Sequence, residues 1–161
     1  MKRVVSVHFE GRAVRAEIEE SIEINAPVAK WFAVTNDWHK VPDYVESFTK
    51  FEPTTEKEER VGSRFAYVLK AAGVEMKGEL EVSEWEKDKG WRMTSVAGMK
   101  TKAQWLFEPV TENSSRVTFV SEYEVPGSFL GAIADKLVVE RTNESNAEKS
   151  LQNMKRLVEG A

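Results

Sequence analysis

At 161 residues, with 41% hydrophobic and 31% charged side chains, the chain has the size and balance of one globular domain with a sizeable core. A formal net charge of −4, with basic residues scattered among acidic neighbours, argues against nucleic acid as a partner, because phosphate neutralisation needs a concentrated basic face. There is no cysteine, and His8 and His39 are the only histidines, so disulfides and thiolate chemistry are excluded and neither a metal site nor another cofactor is expected.

The first residues, Met1 to Phe9, include two basic side chains but no apolar core of signal-peptide length. No segment approaches the roughly 20 apolar residues that span a bilayer. No membrane span and a cytoplasmic location are therefore expected. Val5, Val7 and Phe9 alternate on odd positions, whereas Val14, Ala16, Ile18, Glu20, Ile22 and Ile24 alternate on even ones. The flip across Glu10-Gly11-Arg12 predicts a hairpin turn or a bulge at Gly11. Residues 1–12 then form an N-terminal strand extension to a strand with one buried face.

Asn25 ahead of Pro27 predicts a capped helix start, with Val28, Trp31 and Phe32 on one face. A second short helix or turn is expected through Trp38, Val41 and Tyr44. From Phe48 to Val125 strand signals recur at short intervals, broken at Gly62, Gly73, Gly90, Gly98 and the polar run before Arg116. With no helix between them, they predict an antiparallel meander, one face apolar and the other charged. From about Ser128, a residue of the capping type, to Glu159 there is no proline, and apolar residues recur at helical spacing. That predicts one long helix of about 45 Å. No linker or repeat divides the chain, so residues 1–161 read as a single domain.

Three stretches carry a family resemblance: Ser21-Ile22-Glu23-Ile24-Asn25-Ala26-Pro27 with Trp31, Asn36-Asp37-Trp38 with Pro42-Asp43-Tyr44, and Leu151 to Glu159. In them the chain resembles the START-like helix-grip superfamily (SRPBCC), the polyketide cyclase/dehydrase and coenzyme Q-binding proteins in particular. The resemblance implies an α+β fold. A curved seven-stranded antiparallel sheet wraps a long C-terminal helix, with two short helices after the first strand. It also implies a cavity between sheet and helix.

The alternation then supplies the expected lining: Phe65, Tyr67, Leu69, Met76, Leu80, Met93, Trp105, Phe107, Phe119 and Tyr123 from strands, and Ile133, Leu137 and Arg141 from the helix. Val74, Ala103 and Ser121 share the inward phase. Candidate acid/base groups are Glu20, in the inward phase of its strand, His39, near the expected cavity mouth, and the hydroxyls of Tyr67 and Tyr123. No nucleophile–base set, metal spacing or phosphate-binding loop is legible. The leading expectation is a binding or carrier protein for a small hydrophobic ligand, such as a lipid, quinone or polyketide-like aromatic, acting as a monomer or homodimer. A cyclase/dehydrase-type enzyme using a cavity acid or base is the alternative, and a protein-interaction regulator with a filled core the third. The first two call for an open pocket, the last for a core closed by Trp105, Phe65 and Phe119.

Overall fold

Period-two patterning resolves into one antiparallel sheet of eight strands. They are β1 (Lys2–Glu10), β2 (Ala13–Ile24), β3 (Phe48–Pro53), β4 (Arg64–Ala71), β5 (Val74–Glu86), β6 (Gly90–Ala97), β7 (Lys100–Thr111) and β8 (Ser114–Val125). Their order is β1-β2-β8-β7-β6-β5-β4-β3. The computed structural model describes residues 2–10, 13–56, 61–71, 73–125 and 136–160. The eighth strand is the N-terminal extension. It pairs with β2 from Lys2↔Ser21 to Glu10↔Ala13, so of the two expectations for the phase flip the hairpin holds, although Gly11 and Arg12 themselves lie outside the described residues.

On β2 the phase is as read. Ala16, Ile18, Glu20, Ile22 and Ile24 are buried, while Arg15, Glu17, Glu19 and Glu23 are exposed. Meander turns fall at glycines whose backbone an L side chain would strain, as at Gly98 (φ 85°) and Gly73 (φ 77°).

Between β2 and β3 lie α1 (Val28–Thr35), a 3-10 turn (Trp38–Lys40) and α2 (Val41–Tyr44). The expected Asn25 cap is corrected. Pro27 occupies the cap position without a side-chain hydrogen bond, and the Asn25 amide instead donates to Glu159 Oε1 at 3.0 Å. Asp37 caps the 3-10 turn, accepting from the His39 amide. The long helix, α3, runs over Lys136–Glu159. Its expected start at Ser128 lies outside the described residues. Ala147, Ser150, Leu151, Met154 and Val158 are buried at spacings of three and four, which is one helical face. The helix is pinned to the connection after α2 and to β2: the Glu46 amide donates to Ser150 Oγ at 3.0 Å, and Lys155 Nζ donates to the Glu23 carbonyl at 3.2 Å. Among the described residues, no helix is long and apolar enough to cross a membrane.

Candidate ligand cavity

The concave face of the sheet is ordered in cross-strand rows. Trp91, Trp105 and Phe119 lie opposite one another on β6, β7 and β8, and the rings of Trp105 and Phe119 approach to 4.4 Å between centroids. In the next row, Met93, Ala103, Ser121 and Ile18 are in register across β6, β7, β8 and β2. Thr101 and Tyr123 pair beyond them. These rows, with Leu69, Met76 and Leu80 from β4 and β5, line a cavity of about 160 Å³. Phe48 and Phe51 of β3 close one side. Trp38, Val41 and Tyr44 of the short helices and Asn146, Ala147 and Ser150 of α3 cover it.

The volume is roughly ten times what one water needs, and apolar cavities of about 150 Å³ are known to take up benzene. No Asp, Glu, Lys, Arg or His is among the described lining residues. The wall is therefore suited to a neutral guest, because an ion here would lose hydration without gaining a counter-charge.

Tyrosines supply much of the polarity. Tyr44 meets Trp105 edge-on at 5.9 Å, and its hydroxyl donates to the Thr35 carbonyl at 3.4 Å. Burial, aided by the negative charge of Asp37, pushes the Tyr44 hydroxyl well above the ordinary tyrosine range. Burial also raises Tyr67, and the Met99 backbone amide opposes the shift only in part. That amide falls short of a hydrogen bond, and the Tyr67 hydroxyl is buried with no partner.

Of the expected lining, Tyr67, Leu69, Met76, Leu80, Met93, Trp105, Phe119 and Tyr123 face the cavity. Phe65 and Phe107 do not, and are corrected. Both are buried, but Phe65 is sandwiched by Phe51 at 4.8 Å and Trp38 at 4.9 Å. Phe107 packs on Trp91 and Trp31 at 5.3 and 5.7 Å. Ring packing fills the space at their positions.

Ile133 lies outside the described residues, and Leu137 falls in α3 without a described side chain. Arg141 is exposed and does not line the cavity. At about 100° per residue it is turned well away from the face of Ala147, Leu151 and Met154. Glu20 is fully buried opposite Phe119 and makes interactions within the fold, yet it is not among the lining side chains. His39 is exposed, 3.2 Å from Asp37 Oδ1, in a surface groove beside Trp85 and Asn36. The four acid/base candidates are therefore not gathered in one place: only Tyr67 and Tyr123 reach the cavity.

Sequence reasoning missed the contribution of the short helices and of Met99. Trp38, Val41 and Tyr44 recur every three residues, a helical-face signal that was visible without indicating what the face covers.

The sequence profile of the family described as polyketide cyclase/dehydrase and lipid transport matches residues 15–159. The chain belongs to this family, whose START-like helix-grip fold it shares. Among solved structures, TTHA0849 from Thermus thermophilus is similar at a TM-score of 0.75 and 22% identity, over 89% of this chain and 97% of that one. A START superfamily protein from Mycobacterium smegmatis is similar at 0.70 and 12%, over 89% and 97%. The Zhui aromatase/cyclase from Streptomyces is similar at 0.70 and 14%, over 90% and 94%. At these identities the likeness is one of fold. No curated protein matches the chain.

Proposed function

We propose that this protein binds or carries a small hydrophobic molecule, of the lipid, quinone or polyketide-like aromatic kind, in the cavity between sheet and helix. The observation that supports the reading is that the described lining residues around about 160 Å³ of free space are uncharged and rich in aromatic rings. Trp105 and Phe119 border this space, which speaks for a binding site over a filled regulatory core. Burying a guest there removes its apolar surface from water at about 25 cal/mol per Å², before the costs of ordering it. The raised Tyr44 and Tyr67 hydroxyls remain protonated at neutral pH, so they add no charge to the wall.

Native mass spectrometry of the purified protein, followed by solvent extraction, tests the reading. A one-to-one adduct that releases a small uncharged molecule is expected. Repeated recovery of empty protein, with no stabilisation by a panel of lipids and quinones, would refute it.

A further inference from the structure

Ser121 is a polar residue in an apolar row. It is 7% exposed and lines the cavity. Its cross-strand neighbours are Ala103 on β7 and Ile18 on β2, whose side chains offer neither donor nor acceptor. A hydroxyl set between such neighbours and bordering the cavity is open to a hydrogen bond with a guest oxygen. Two residues along β8, about 7 Å away at strand rise, Phe119 and Trp105 form the closest ring pair of the wall. A planar ring resting on that pair would bring an attached oxygen to Ser121. The missing counter-charge among the described lining residues disfavours carboxylate, phosphate or ammonium at that point.

We infer that Ser121 is the polar anchor of the cavity, and that the ligand is a neutral one- or two-ring compound with a hydroxyl or carbonyl oxygen that bonds to it. This rests on the binding reading above and adds the chemical class of the guest.

Titration of naphthalene, 2-naphthol and 2-naphthoate into the wild-type protein and Ser121→Ala tests it. The truncation removes one atom from a strand position and leaves the fold intact, which far-ultraviolet circular dichroism checks. Loss of one neutral hydrogen bond weakens 2-naphthol about fivefold, while naphthalene changes less than twofold and wild-type protein binds 2-naphthoate at least tenfold more weakly than 2-naphthol. Equal loss for naphthol and naphthalene, or no loss for either, overturns the anchor and leaves the binding reading standing. If the wild-type protein takes up none of the three, the binding reading itself falls, and the anchor with it.

Discussion

The ring of Tyr67 lies over the bare backbone of Gly78, its cross-strand partner. A Cβ added to Gly78 would fall 2.6 Å from Tyr67 Cζ and 2.6 Å from the Ala97 carbonyl oxygen, closer than real side-chain contacts allow. The absence of a side chain at position 78 is what lets the tip of the tyrosine ring settle against the sheet. Gly78→Ala forces the ring toward the cavity and strains β6, whose carbonyl cannot move independently of the sheet. A loss of about 1–3 kcal/mol is expected, seen as a fall of several degrees in Tm together with weaker uptake of any cavity ligand. An unchanged Tm would show that the wall yields more easily than its geometry indicates.

The same tyrosine keeps its hydroxyl buried without a partner. Removing an unsatisfied group relieves its desolvation cost. Tyr67→Phe is therefore expected to leave stability unchanged or raise it by up to about 1 kcal/mol, measured by urea denaturation. A loss of more than about 1 kcal/mol would mean that the hydroxyl is bonded in the folded protein.

Tyr44 makes a prediction at alkaline pH. Its hydroxyl is raised from an ordinary value of 10.0 by burial and by Asp37, so the folded state holds its proton after the unfolded chain has released it. Stability from this source is intact below about pH 10 and declines as pH rises above it, because the folded state then binds more protons than the unfolded one. Tyr44→Phe should flatten that decline, at the cost of the 3.4 Å bond to Thr35. Denaturation midpoints between pH 8 and pH 11 for the two proteins give the comparison; parallel curves would contradict it.

The sheet was legible because burial on one face imposes a period of two, and even Glu20 obeyed it. Phase shows which face a residue joins, but not how far along the strand the cavity extends. Phe65 and Tyr67 therefore look equivalent in sequence, although only Tyr67 lines the cavity while Phe65 is closed in by Phe51 and Trp38. Arg141 misled for a related reason. Its four-residue spacing from Ile133 and Leu137 points it to the cavity in sequence, whereas the buried face of the described helix is set by Ala147 to Val158. Asn25 carried a capping residue's chemistry, but Pro27 fixes its own φ and favours an extended residue before it, so the helix begins only after the proline.

Cavity binding is tested most directly by filling the space from within. Ala103 lies between Met93 and Ser121 on the wall, and Ala103→Leu places three more carbons in the void, where added apolar contact offsets the strain of insertion. Calorimetric titration of naphthalene should show one equivalent bound by the wild-type protein and none by Ala103→Leu, with the variant melting at an equal or higher temperature. Equal binding by both proteins, or by neither, would contradict a ligand site in this cavity.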